Sequence, residues 1–189
     1  RKLTITYAVG GAGAQKEIGG QIAQSLKEKL KDGEIRLIFV AGIRKEVNEY
    51  FKTVKKEIDP EGKSIKIIFS DSLHEYFDLF NQALRDTDIL WTKPSELSFY
   101  CALGIPIIMS PIIGSQEKFN RKWLREIQAA LKQEKPDYTD QWLYDLLNRG
   151  TLAESAWDGF LKARKLGSFK IKQVLENGYL EKETDPVLR

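Results

Sequence analysis

The sequence predicts an α/β protein: a Rossmann-like parallel sheet of about five to six strands, helices on both faces, and extra helices at the C-terminal end. Three observations predict it. Short apolar runs alternate with segments of helical period over residues 3–110, the pattern of a sheet built from strand–helix–strand units. The second run, Ile35-Arg36-Leu37-Ile38-Phe39-Val40-Ala41, is almost continuously apolar, as a strand covered on both faces requires. A cluster of small residues, Gly10-Gly11-Ala12-Gly13, stands between the first strand and the first helix, where a close backbone approach to an anion is possible.

The elements follow in order. Leu3, Ile5, Tyr7 and Val9 alternate along a first strand over 3–9, and Ile18, Ile22, Leu26 and Leu30 recur at helical spacing over 15–30. Gly33 breaks the chain before the strand at 35–41. Val47, Tyr50, Phe51, Val54 and Ile58 mark a second helix, which Pro60 and Gly62 end before a third strand at 65–69. The helix over 73–85 carries Phe77, Phe80 and Leu84 on one side and leads to a fourth strand at 89–92. Pro94 or Ser95 starts a helix that Gly104 stops after about residue 103. A fifth strand at 105–110 has Pro106 near its first residue, where a missing N–H is tolerated.

Gly114-Ser115-Gln116-Glu117 opens the next helix, with Phe119, Trp123, Ile127 and Leu131 as its expected core face. Helices over 139–148 and 152–164 are separated by Gly150, and Trp142, Tyr144, Trp157, Phe160 and Phe169 read most simply as core, with contact to an absent domain as the alternative for some of them. Residues 169–189 are mixed. The expected division is a ligand-binding domain over 1–175 and a charged, Pro-containing tail over 176–189.

At 189 residues the chain suits one well-packed domain, and a net charge of +3 spread along it does not by itself imply a nucleic-acid or membrane surface, local basic patches being left open. Cys101 is the only cysteine and lies among apolar neighbours, which reads as a buried structural thiol in a reducing, cytoplasmic setting. No run approaches the ~20 apolar residues of a membrane-spanning helix. The chain has no initiator Met and enters a core strand almost at once, as expected of a domain excised from a longer protein. No Cys/His cluster suggests zinc, and no metal is expected.

In a parallel α/β sheet, ligands sit outside the carboxyl ends of the strands. Four segments fall on that edge: residues 10–15, 70–74, 92–96 and 111–116. The first is not a dinucleotide fingerprint, because the sixth residue counted from Gly11 is Lys16, and the second strand ends Val40-Ala41-Gly42 without a ribose-binding acid. Nor does it have the spacing or the terminal Lys-Ser/Thr of a P-loop. What remains is an anion cradle, with a tight turn and close helix packing as the plain alternative. His74, the lone histidine, stands in the first turn of a helix, where a surface or packing role is the expectation. Asp86-Thr87-Asp88 spells a D-x-D but precedes a strand, which makes it a helix end and turn.

Read together, Gly10-Gly11-Ala12-Gly13-Ala14, Asp88-Ile89-Leu90-Trp91-Thr92-Lys93-Pro94, Ala102-Leu103-Gly104-Ile105-Pro106-Ile107-Ile108 and Gln116-Glu117-Lys118-Phe119-Asn120 resemble the donor-binding, C-terminal half of GT-B glycosyltransferases. The nearest patterns are the lipid II-forming N-acetylglucosaminyltransferases and the monogalactosyldiacylglycerol synthases. The resemblance covers residues 3–125 and implies a set of roles. Gly10, Gly11, Ala12 and Gly13 would face a nucleotide diphosphate, joined by Thr92, Lys93, Pro94 and Ser95, with Lys93 as a point charge and a solvated lysine at a strand end as its alternative. Ser70 and Asp71 would lie at the base, with helix capping as the alternative. Gln116, Glu117 and Asn120 would grip the sugar; an ordinary polar helix start is the alternative. The sequence departs from the family where relatives carry a ribose-binding glutamate: five residues before Gly104 stands Phe99, and the nearby acid is Glu96, which would substitute as the nucleoside-binding acid, with capping of the helix N-terminus as the alternative.

The resemblance further implies a nucleotide-sugar donor, UDP-linked by the pattern of the relatives, as substrate rather than cofactor. Transfer would go to an acceptor hydroxyl without a metal, and the acceptor would be a peripheral membrane molecule or another. The acceptor-binding N-terminal domain, or a partner subunit in its place, is absent from this chain, so the catalytic base is unassigned and little activity is expected from the chain alone. A donor-binding subunit of a two-subunit enzyme, or a non-catalytic nucleotide- or protein-binding module on the same fold, are the alternatives. No nucleic-acid partner is expected.

Overall fold

The strands Leu3–Ala8 (β1), Ile35–Gly42 (β2), Ile65–Phe69 (β3), Ile89–Thr92 (β4), Ile107–Met109 (β5) and Ala130–Lys132 (β6) form one parallel sheet in the order β3-β2-β1-β4-β5-β6. The computed structural model describes residues 1–10, 13–95 and 97–179. Sheet growth reverses between β3 and β4, so β1 and β4 pair side by side and their carboxyl ends flank the switch point.

Helices cover both faces. They are Lys16–Ser25 (α1), Lys27–Lys31 (α2), Lys45–Ile58 (α3), Leu73–Asp86 (α4), Leu97–Ala102 (α5), Ser115–Glu126 (α6), Thr139–Asn148 (α7), Thr151–Lys162 (α8) and Gly167–Asn177 (α9). Strand alternation divides the core. Ile5, Tyr7 and Phe39 pack with Ile22, Phe51 and Leu143 on one face, and Ala8, Ile38, Val40 and Leu90 pack with Phe80 and Leu84 on the other. Gly19 seats α1 on the first face: a Cβ there would lie 2.8 Å from Phe51, 2.9 Å from Tyr7 and 3.1 Å from Phe39. At the entry to β3, the Asp59 carboxylate accepts the amides of Lys63, Ser64 and Ile65 at 3.0, 2.8 and 2.6 Å.

The expected strands are found within one or two residues of their ends, and β6 completes the sheet. The single helix expected over 15–30 is divided at Leu26 (φ −93°, ψ 10°), yet Ile22, Leu26 and Leu30 all remain buried because the turn keeps them on the same side. Asp86-Thr87-Asp88 is a helix end and turn: the Thr87 hydroxyl bonds back to Ala83 and Asp88 accepts the Thr4 amide. Cys101 is buried. Among the described residues no helix is long and apolar enough to cross a membrane.

Three expectations about the core are corrected. Phe119 and Trp123 are not the inward face of α6, being 72% and 36% exposed; Glu117 and Leu124 point inward instead, and Leu131 belongs to β6. Trp142 and Tyr144 do pack on the main core, but Trp157 and Phe169 are 62% and 70% exposed, and none of the residues of α9 is buried. Phe77 is 48% exposed although Phe80 and Leu84 on the same helix are buried. The residues 180–189 of the expected tail lie outside the described residues.

Candidate functional site

The carboxyl ends of β1, β2 and β4 open into a cavity of about 220 Å³. Its polar side comes from Gly10, Thr92, Lys93 and Ser95, and its apolar side from Ile43, Leu73, Tyr76, Phe77 and Tyr100. Each wall has a local cause. β1 ends where the chain turns, with the Gly13 amide donating to the Gly10 carbonyl at 2.7 Å and Gly13 at φ 73°, a conformation that favours glycine. Gln15 follows in the left-handed region at φ 70°. It is held there from both sides: the Tyr7 hydroxyl donates to its carbonyl at 2.6 Å, and its own Nε2 donates to the Pro111 carbonyl at 2.8 Å. Burial pushes the Tyr7 hydroxyl far above its ordinary range, so it remains a donor.

Lys93 follows β4 and is only 9% exposed. Its stem crosses the face of Gly10, where a Cβ would lie 2.9 Å from Lys93 Cδ and 3.4 Å from Nζ. The ammonium pairs with Glu117 Oε1 at 2.9 Å. The other carboxylate oxygen of Glu117 accepts the Ile113 amide at 2.7 Å and the Gly114 amide at 3.4 Å. Burial pushes this carboxyl up, but the Ile113 amide, the Lys93 ammonium and the Gly114 amide outweigh it and hold the group below the usual carboxylate range. The amides just before α6 are thus taken by a side chain of the same helix.

Asn120, one turn further along α6, donates from Nδ2 to the carbonyls of Pro94 and Ser95 at 3.2 and 2.8 Å. Thr92 is buried and donates to the Ala8 carbonyl at 3.2 Å, tying β4 to β1 beside the loop. The structure therefore brings Gly10, Gly13, Thr92, Lys93, Pro94, Ser95, Glu117 and Asn120 into one bonded frame. Gln116 is exposed at its edge. Gly11, Ala12 and Glu96 lie outside the described residues.

Ser70 and Asp71 stand apart from this frame. The Ser70 hydroxyl donates to Glu75 Oε2 at 2.6 Å and accepts the Ser72 amide at 2.9 Å, while Ser72 caps α4 through the Glu75 amide. Asp71 is exposed and pairs with Lys45 at 3.3 Å. His74 is exposed, its Nε2 3.9 Å from Asp78. Phe99, where a ribose-binding acid would stand by resemblance, is 58% exposed. Among the described residues no group of three or more His, Cys, Asp or Glu side chains could hold a metal ion.

Sequence reading missed the apolar wall. Leu73 and Phe77 are 56% and 48% exposed and both line the cavity. Their signal was present: the apolar stripe of α4 extends two turns toward its N-terminus beyond Phe80, Ala83 and Leu84, the buried residues of the helix.

Solved structures share this architecture. The chain is similar to MurG from Acinetobacter baumannii at 18% identity and a TM-score of 0.67, over 93% of this chain and 50% of that one. It is similar to the C-terminal CMP-Kdo binding domain of WaaA from the same organism at 15% identity and a TM-score of 0.61, over 84% of this chain and 87% of that domain. It also resembles Anabaena Alr3699/HepE, solved in complex with UDP and glucose, at 11% identity and a TM-score of 0.54, over 93% of this chain and 48% of that one. The fold is that of the C-terminal half of GT-B glycosyltransferases, and the chain spans about half the length of MurG. No curated protein sequence matches it. Since the family described as "Domain of unknown function (DUF6938)" matches residues 42–170, which is most of the chain, the protein belongs to that family.

Proposed function

We propose that this chain is the donor-binding domain of a glycosyltransferase, with residues 1–175 holding a nucleotide diphosphate sugar, UDP-linked in the first instance. The observation that carries the reading is the cavity at the β1–β4 switch point, which sets the Lys93 ammonium and the Gly10 turn beside an aromatic wall. A base and ribose suit the wall of Tyr76, Phe77 and Tyr100, and the phosphates suit the Gly10–Gly13 turn with Thr92, Lys93, Pro94 and Ser95. The sugar end would then face the first turn of α6, where Gln116 is exposed.

In such a reaction an acceptor oxygen forms a bond to the anomeric carbon as the bond from that carbon to the diphosphate breaks. The acceptor proton passes to a base outside this chain, and the nucleotide diphosphate leaves. Negative charge grows on the leaving phosphate, and this chain's contribution is the fixed ammonium of Lys93 beside Gly10, which favours metal-independent transfer. The acceptor, membrane-bound or free, belongs to a second domain or subunit, and a cytoplasmic location suits a nucleotide-sugar donor.

The test is a binding screen of the chain against UDP, UDP-sugars, GDP and CMP by thermal shift and calorimetry. A ligand at 100 times its Kd raises stability by about 2.7 kcal/mol. The reading expects such a shift with a uridine nucleotide and no transfer of labelled sugar by the chain alone. The half-exposed Phe99 favours a second reading, a binding module that keeps the fold without the chemistry. No shift with any nucleotide would select it.

A further inference from the structure

We infer that Glu117 is a positioning residue that holds the Lys93 ammonium at the Gly10 turn for the phosphate of the ligand, and is not itself a sugar-binding group; the inference rests on the donor-binding reading above. Glu117 is fixed at both oxygens. Oε2 takes the Ile113 and Gly114 amides and Oε1 takes Lys93, with the residue only 5% exposed. A carboxylate so placed cannot turn toward a sugar hydroxyl without leaving a buried ammonium and two amides unpaired.

The geometry serves Lys93 instead. Its stem runs along the glycine face that leaves room for it, the residue lines the cavity, and its ammonium lies beside Gly10 with one of its three protons directed to Glu117. A lysine on a flexible four-carbon stem gives up much rotamer freedom when a phosphate captures it; one already held by a helix carboxylate has given it up beforehand. Protein kinases use the same division of labour, a glutamate on a helix holding the lysine that meets the nucleotide phosphates. Here the pair joins α6 to the end of β4, so the loop before α6 and the glycine turn are set by one ionic contact.

Calorimetric titration of UDP into the wild-type chain, Glu117→Gln, Lys93→Met and the double variant tests this. Glutamine keeps a carbonyl for the Ile113 and Gly114 amides but not the charge that holds the lysine. Glu117→Gln is therefore expected to fold, to bind UDP about tenfold more weakly, on the order of a lysine's rotamer freedom, and to lack the slowly exchanging Lys93 ammonium signal that the ion pair is expected to give in ¹H–¹⁵N spectra of the wild type. The double variant should bind no more weakly than Lys93→Met. Wild-type binding with Glu117→Gln unchanged, or additive losses in the double variant, overturns the inference alone. Absence of all nucleotide binding by the wild type overturns the donor-binding reading and the inference with it. If Glu117→Gln does not fold, Lys93→Met decides: unchanged UDP affinity overturns the inference, and a loss together with a wild-type ammonium signal supports it.

Discussion

Gly10 and Lys93 fit together as a notch and a rod: the absent side chain of one is the channel for the stem of the other, and an added Cβ would approach Lys93 Cδ to 2.9 Å. This relationship links the first loop of the chain to the fourth strand and separates two kinds of glycine, those needed by the site and those needed by the core.

Gly10→Ala is expected to displace Lys93 and weaken UDP binding several-fold while leaving the fold nearly intact. The atom in the way belongs to a flexible stem that can shift, but the shift strains the buried Lys93–Glu117 pair, so the unfolding free energy should fall by about 1 kcal/mol with the fold retained. Calorimetry and urea denaturation of the same preparation check the two halves of this statement.

Gly19→Ala should do the reverse. Its Cβ would meet Phe51, Tyr7 and Phe39, all buried and packed on one another, at 2.8 to 3.1 Å. Overpacking of this kind costs about 1–3 kcal/mol. The expected outcome is a lower urea midpoint at an unchanged m-value, with UDP affinity retained at temperatures where the variant is folded.

Glu117 also makes a pH signature. Its folded-state pKa lies below its ordinary value of 4.5, so its ionised form stabilises the fold above that pH, and the contribution is lost as pH falls through the folded-state value. The stability difference between wild type and Glu117→Gln should hold constant from pH 7 down to about 5 and shrink below 4.5. A difference that grows on acidification would contradict the assignment of Lys93 and the Ile113 amide as the groups that hold this carboxylate.

The Cys101 thiol is pushed up to about 11 by burial. It should react with a thiol reagent at neutral pH only as fast as the protein opens, and at the full rate of an exposed cysteine in denaturant. Rapid labelling of the native chain would place α5 elsewhere than against α8 and β6.

The sequence by itself determined the sheet and the edge at which its loops gather. The alternation of Leu3, Ile5, Tyr7 and Val9 and the unbroken apolar run from Ile35 to Ala41 are consequences of burial that any reading of hydrophobic period recovers. Turn chemistry at Gly10, Pro94 and Gly114 likewise marked the loops that gather at the carboxyl ends of the strands. Only the tertiary structure decided what the polar and aromatic residues near those loops do. Period alone made Phe119 and Trp123 the inward face of α6, whereas the ionic contact with Lys93 and the amides of Ile113 and Gly114 turned Glu117 inward and left those two rings in solvent. Leu73 and Phe77 carry the same apolar signal as Phe80, yet they are half-exposed and line a cavity. Hydrophobic spacing is a one-dimensional signal that reports which residues leave water. Whether a buried carboxylate finds a lysine 24 positions away, and which glycine clears the path for that lysine, depends on distances that only the assembled sheet sets.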